Sequence, residues 1–541
     1  SEDVLNNAVD RLIEIILNAA KIEKKPYFAN AHHAVAKEAA LGSITLLKNE
    51  GNILPLSDKS KSVAVIGEMA VDPRYQGAGS SLVNPTKKEN AFDSLIKLGY
   101  KVKYAKGYNK KTKPKEIKPL IDEAVAAAKS ADIALLFIGL TEEYESEGFD
   151  RKHMELPEVH DALVEAVYKV NPNIVVVLAG GSPVEMPWYN RVKGIINTYL
   201  AGQAGASALA DIIAGIKCPC GKLAETYPMK GSDNPSYGNF ALPQKDVIYK
   251  ESIYIGYRYY DKAQKRVRFP FGYGLSYTNF EYSKAKLSKK KIHPGESIDV
   301  TFSIKNTGEF DGAEIAQVYI EKGDTKIYRA PKELKGFAKV SLNKGEKKSV
   351  TVTLDERAFA FYNTAANDWC VENGEYTVAI GTSSRDIVQR IKLVAEGFDN
   401  SVMPDYSEIK AYFGTEPNKI GDDEFKKVYG KELPLTPHKE KSDYNTTISD
   451  MSDKGFAKAI CKTAEFIADN SKDVNAGMIA SAAMQTPVRN FITMSNGLFS
   501  EDMADGLLMI FDGKGTAKGI GKIAKGVPHA LANLKKLLKS I

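Results

Sequence analysis

No apolar run in this chain of 541 residues approaches the ~20 residues a membrane-crossing helix needs, so a membrane protein is not the expectation. Cysteine is scarce. Cys218, Cys220, Cys370 and Cys461 are too few and too scattered for a disulfide framework, which points to reducing, cytoplasmic surroundings. A net charge of +6 is small for this length and excludes the strongly basic surface of a nucleic-acid binder. The seven histidines show no ligand spacing beyond the adjacent His32 and His33, and no second pair of ligands stands near Cys218-Pro-Cys220. A metal site is therefore not expected, and neither is another cofactor. Gly77-x-Gly79 lacks the helix and acidic partner of a dinucleotide fingerprint, and Gly513-Lys-Gly515 follows a helical pattern where a phosphate loop follows a strand. No basic, apolar leader opens the chain. Its first residues instead carry Val4, Ala8, Val9, Leu12, Ile13 and Ile16 at helical spacing, so the chain reads as the later part of something longer.

What is present is organised in blocks, and the length predicts roughly three or four domains. A second helix is predicted from about His33 to Lys48. Continuous apolar runs then predict strands at 62–67, 133–139, 174–178 and 194–200, with helices near 116–130, 158–169 and 204–215. Such strands with helical crossovers mean a parallel sheet covered on both faces. The loops after the strands (68–81, 140–151, 179–188 and 201–203) should share one rim of that sheet, where α/β proteins place their chemistry.

The loop after 133–139 holds Glu142, Glu143, Glu145, Glu147 and Asp150. Mutual repulsion is expected to raise a carboxyl pKa there toward what a general acid needs, and Gly148 permits a tight turn. From these residues alone the loop reads equally as a catalytic site or as a solvated acidic surface. Trp188 reads as packing beneath the rim.

From about Tyr282 short alternating segments (297–304, 313–319, 349–354, 376–381) separated by turns predict a β-sandwich of about 110 residues. After about Phe398 comes a polar linker near 414–446, then helical patterns near 453–469, 473–484, 501–511 and 527–540. No acidic residue follows Asp512, while lysines stand at 514, 518, 522, 525, 535, 536 and 539, the solvated side of a docked helix.

Seven motifs in order carry a family resemblance: 38–56 (EAALGSITLLKNEGNILPL), 77–81 (GAGSS), 146–151 (SEGFDR), 181–188 (GSPVEMPW), 221–228 (GKLAETYP), 256–261 (GYRYYD) and 269–277 (FPFGYGLSY). Over about residues 1–396 the chain resembles glycoside hydrolase family 3, the β-glucosidase-like enzymes, in the portion that follows their barrel domain. The resemblance implies an α/β fold throughout the first part. Residues 1–30 would be the last barrel helix and a linker, and 31–280 an α/β/α sandwich with a parallel sheet. A fibronectin-III-like β-sandwich would occupy 281–396, with a linker and mainly helical segment at 397–541.

It also implies the chemistry, hydrolysis of terminal β-linked sugars with retention. One carboxylate attacks the anomeric carbon and a carboxylic acid about 5–5.5 Å away protonates the leaving oxygen. Glu147 matches the family's acid/base. Arg74, Tyr75 and Ser80, on the glycine-rich rim loop, match the surroundings of the leaving group, Tyr75 to stack on a ring and Arg74 to bond hydroxyls. Those glycines read equally as shaping a crossover. Asp150 and Arg151 are expected to pin the acid loop as an ion pair. The family's nucleophile, an aspartate in a Ser-Asp-Trp setting on a barrel strand, has no counterpart. Asn367-Asp368-Trp369 carries an Asp-Trp pair in the wrong domain. Expected partners are a β-glucoside or oligosaccharide and a barrel domain, from the same precursor or a second chain, with a homo-oligomer possible. The alternative is a non-catalytic carbohydrate-binding or scaffold protein built from the same domains.

Overall fold

The structure, a computed structural model, describes residues 1–110, 114–147, 150–151, 153–240, 247–434, 442–452, 458–463, 466, 476–495, 497–513 and 515–540. Gly148, Lys514, most of the helical pattern expected at 453–469 and the start of the one expected at 473–484 lie outside them.

The first domain is built on a six-stranded sheet in the order β1-β6-β5-β4-β2-β3. Its strands are β1 (Thr45–Asn49), β2 (Ser62–Ile66), β3 (Lys101–Ala105), β4 (Ile133–Gly139), β5 (Ile174–Ala179) and β6 (Gly194–Tyr199). All pairings are parallel except β1 with β6. Every residue of β4 and β5 is buried, as continuous apolar runs require when both sheet faces are covered. Helices α1 (Glu2–Ala20), α2 (Ala29–Ser43), α3 (Ala91–Lys97), α4 (Pro114–Lys129), α5 (Glu158–Tyr168) and α6 (Gly205–Ile213) accompany it. The chain passes from β2 out to β3, then back across β2 to β4, so the carboxyl ends of β2 and β4 flank the point where strand order reverses.

The helix expected to reach Lys48 ends at Ser43. Ile44 takes extended dihedrals and Thr45–Leu47 are buried in the edge strand β1. A short apolar run of this kind fits a strand beside β6 as well as a helix, and sheet pairing decides it. All of α1 is exposed, including Leu5, Leu12, Ile13 and Ile16.

A small pair, β7 (Tyr227–Pro228) and β8 (Val267–Phe269), with α7 (Gly256–Lys262), leads into the β-sandwich. One of its sheets contains β9 (Phe280–Tyr282), β10 (Lys286–Leu287), β12 (Ser297–Asn306) and β15 (Lys347–Asp355). The other contains β11 (Lys291–Ile292), β13 (Gly312–Glu321), β14 (Glu333–Leu342), β18 (Gly374–Gly381) and β19 (Ile387–Ala395). A separate ribbon is formed by β16 (Phe361–Asn363) and β17 (Asp368–Cys370). Strands β12 and β15 alternate buried and less buried residues, the period-2 signature of one covered face.

Part of the expected polar linker is packed structure. Ile420 is buried in one cluster with Tyr254, Tyr259, Tyr260 and Tyr412, which precedes the linker; Tyr254 Oη donates to the Tyr412 carbonyl at 2.5 Å, and the Tyr412 hydroxyl donates to the Lys250 carbonyl at 2.9 Å. Five tail helices are described over α8 (Asp422–Tyr429), α9 (Ala476–Gln485), α10 (Val488–Met494), α11 (Glu501–Phe511) and α12 (Thr516–Ser540). Among the described residues no helix is long and apolar enough to cross a membrane.

Candidate functional site

Two loops meet above the sheet, one leaving β2 and one leaving β4. A tight strand contact lies at the base of the second. A Cβ on Gly139, the last residue of β4, would stand 1.8 Å from the Ala179 carbonyl oxygen, so only glycine lets β4 and β5 approach this closely.

The acid loop is then held by one buried arginine. Arg74 Nη1 donates to the Leu140 carbonyl (3.0 Å) and to Glu145 Oε2 (2.8 Å), and Nη2 to the Glu145 carbonyl (2.7 Å). Its side chain is 1% exposed. Glu145 completes its shell with the Gly181 amide at 2.8 Å and Ser182 Oγ at 2.5 Å, joining the loop after β5. Burial alone would raise the Glu145 pKa, but these donors and the guanidinium outweigh it and hold the carboxylate below its usual range. Arg74 was expected to bind sugar hydroxyls. The structure corrects this: the guanidinium braces the loop from beneath and is shut away from solvent.

Glu147, two residues on, projects into solvent. Ser80 reaches it from the β2 loop through its amide (2.6 Å) and its hydroxyl (2.7 Å), both to Oε2. The rim thus brings together Glu147 and Ser80. The expected upward pKa shift is absent, however. The Ser80 hydroxyl and amide favour the ionised form and hold the Glu147 carboxyl below its usual range. Tyr75 is half-buried beside them. Its hydroxyl accepts from Gln76 Nε2 at 3.0 Å, its carbonyl from the Gly202 amide at 2.9 Å. With Glu89, Phe137, Thr198 and Ala201 it lines a small cleft toward the carboxyl ends of β4, β5 and β6.

Arg151 does not pair with Asp150. Its Nη1 donates to Ser182 Oγ (2.8 Å) and the Pro183 carbonyl (2.9 Å), so it fastens the acid loop to the loop after β5. Trp188 is fully buried, and its indole N–H donates to Asp161 at 2.9 Å. Cys218 lies within reach of Ser276 Oγ at 3.0 Å as a free thiol whose pKa is raised by burial. Among the described residues no group of three acidic, histidine or cysteine side chains is placed to hold a metal. Asp368 lies on β17, in the other domain.

Sequence reasoning missed Glu225. Burial, with the Glu145 charge adding and Arg151 opposing, pushes its pKa up to about 7. Only its place in the Gly221–Pro228 motif could have drawn attention to it.

Residues 44–277 match the glycosyl hydrolase family 3 C-terminal domain, and residues 314–384 match a fibronectin type III-like domain. The chain is similar to the thermostable beta-glucosidase B of Acetivibrio thermocellus, with 49% identity over 393 residues, 72% of this chain and 52% of that protein. Its likeness to the exo-alpha-(1->6)-L-arabinopyranosidase of Bifidobacterium breve is 43% over 412 residues, covering 74% and 54%. The crystal structure of the Bifidobacterium adolescentis GH3 beta-glucosidase superposes with a TM-score of 0.68 at 40% identity, covering 83% of this chain and 60% of that one. The chain spans about half the length of the curated relatives it matches. Domain matches and these likenesses agree: the chain carries the C-terminal domain of glycoside hydrolase family 3, followed by a fibronectin type III-like domain.

Proposed function

We propose that this chain supplies the general acid/base, Glu147, and the leaving-group side of a retaining β-glycosidase whose nucleophile lies on a barrel domain outside these residues. The observation that carries the reading is the position of Glu147. It is the solvent-facing carboxylate of a loop braced by Arg74 and Arg151 at the carboxyl ends of a parallel sheet, with Ser80 fixing its direction. Glycosidases of this class need a second carboxylate about 5–5.5 Å away. A carboxylate brought that close would repel the charge on Glu147 and raise its pKa, supplying the protonated acid that Ser80 alone disfavours. Tyr75 and Ser80 then flank the departing sugar or aglycone. The exposed apolar face of α1 supports a barrel as the missing partner, since such a face calls for a covering surface.

Terminal β-glucosides are the first substrates to test, because the similar proteins include beta-glucosidases. Arabinopyranosides are the second substrates to test, because the chain is also similar to an exo-alpha-(1->6)-L-arabinopyranosidase. In the complete enzyme, Glu147→Ala should cut hydrolysis of an alkyl glucoside by at least about 100-fold, in line with the contribution of general acid–base catalysis. Azide should restore turnover of an activated aryl glucoside, with a glycosyl azide as product. Unchanged rates in that variant would remove Glu147 from the mechanism.

A further inference from the structure

The chain has two tryptophans, and they are placed in opposite ways. Trp188 is fully buried, whereas Trp369 is 45% exposed on the β16–β17 ribbon. Trp369 is the cross-strand partner of Tyr362 in the β16–β17 ribbon, and Tyr362 is 43% exposed. Their rings meet edge to face with centroids 5.4 Å apart, on the outward side of a ribbon whose inward residues Phe361 and Asn363 are buried. The Arg357 guanidinium lies 3.0 Å from the Trp369 ring centroid. Among the described residues it makes no ion pair or side-chain hydrogen bond, so its N–H groups remain free.

The ribbon is fixed from below and at its tip, leaving the aromatic face unused. Asn363 Nδ2 donates to the Val402 carbonyl (2.8 Å), and its Oδ1 accepts from the amides of Ala365 (3.0 Å) and Ala366 (3.1 Å). The Tyr362 hydroxyl donates to Asn367 Oδ1 at 2.7 Å. Thr364, Asn367 and Asp368 around the rings are exposed and polar.

We propose that the outward face of this ribbon is a second carbohydrate-binding site, taking a β-linked glucan chain on Trp369 and Tyr362 with Arg357 at its edge. A pyranose ring presents polarised C–H bonds on its face and hydroxyls around its rim. The faces meet the negative π surface of an indole, while the hydroxyls accept from a guanidinium. A protein partner would favour an apolar zone around such an anchor, and the neighbours here are polar. A cross-strand aromatic pair also stabilises a hairpin, but that role needs neither solvent exposure nor an uncommitted arginine. The choice of a β-linked chain rests on the glycosidase reading; the aromatic platform itself does not.

The test is native electrophoresis of the full chain in gels containing barley mixed-linkage β-glucan, or dextran as the α-linked control. A titration with cello-oligosaccharides, read by tryptophan fluorescence, accompanies it. Retardation by β-glucan but not dextran is expected, with a saturable fluorescence change. Trp369→Ala and Arg357→Gln should each raise the apparent Kd, the first by at least tenfold. Arg357→Gln leaves the aromatic pair in place, so a loss of binding there is not a loss of the hairpin, and circular dichroism checks the Trp369 variant. Lack of retardation in the parent chain, retardation that survives Trp369→Ala, or equal retardation by dextran would each overturn the proposal. So would protection of Trp369 from acrylamide quenching in the complete, unliganded protein, which would make the ribbon an internal interface.

Discussion

Replacing Arg74 with methionine keeps the apolar stem and removes the cation that faces Glu145. The Glu145 carboxylate retains Ser182 and the Gly181 amide but loses its charge partner in a largely buried setting. Breaking such a pair from one side costs about 3 kcal/mol, which a denaturant titration of Arg74→Met would register. In the complete enzyme the same variant should lower kcat more than it raises KM, since the acid loop loses its brace while Tyr75 and Ser80 remain. Glu225 supplies a pH signature of opposite sign to Glu145. Its folded pKa of about 7 lies above the ordinary carboxyl value, so its contribution to stability is intact below about pH 4.5 and is lost as pH rises toward 7. Each pKa unit corresponds to 1.36 kcal/mol, and partial exposure reduces the full conversion to about 2 kcal/mol. Glu225→Gln should therefore flatten the fall in stability between about pH 4.5 and 7, measured by urea unfolding across that range. Glu145, held below its usual range, contributes stability that is present at neutral pH and lost on acidification.

Individual elements follow the same logic with backbone geometry in place of charge. Gly139→Ala would drive a methyl group into the Ala179 carbonyl and force β4 and β5 apart below the acid loop. The expected cost is about 3 kcal/mol or more, seen as a lowered unfolding midpoint, because neither backbone can shift without disturbing a fully buried strand. Sequence periodicity found β2, β4, β5 and β6, since buried parallel strands are continuous apolar runs. It missed β3, whose Lys101, Lys103 and half-buried Val102 and Tyr104 make an ambiguous edge strand. It also ran α2 into β1, where only pairing with β6 distinguishes strand from helix. In the tail, α11 and α12 cross with Gly506 and Gly519 so close that a Cβ on either would meet the other's carbonyl oxygen at 2.5 to 2.6 Å. Neither glycine stands out in the sequence.

Across the whole molecule, the two large domains are joined by buried polar contacts. Lys222 pairs with Glu314 at 3.1 Å with both side chains nearly inaccessible, and Gln317 Nε2 donates to the Gly272 carbonyl at 3.1 Å. The α/β domain and the sandwich are expected to move together. Helix α1 is the exception, a 19-residue helix with no buried residue. Isolated helices of this length are marginal in water, so its amides should exchange within seconds in this chain alone. In a protein that includes the barrel domain, that exchange should slow by at least about tenfold; equal rates in the two would show that the barrel does not cover α1.

The amino-acid sequence by itself determined the succession of domains, the parallel strands and the loop that carries Glu147, because continuous apolar runs, turn residues and ordered motifs are local properties. Tertiary structure alone decided which charges meet. It placed Arg74 under Glu145, turned Ser80 toward Glu147 from a different loop, brought Glu225 near Glu145 in a partly buried setting, and left Trp369 facing solvent. Each outcome depends on residues tens of positions apart brought within hydrogen-bonding distance, and on how much water remains between them. Neither quantity is written in the order of the residues.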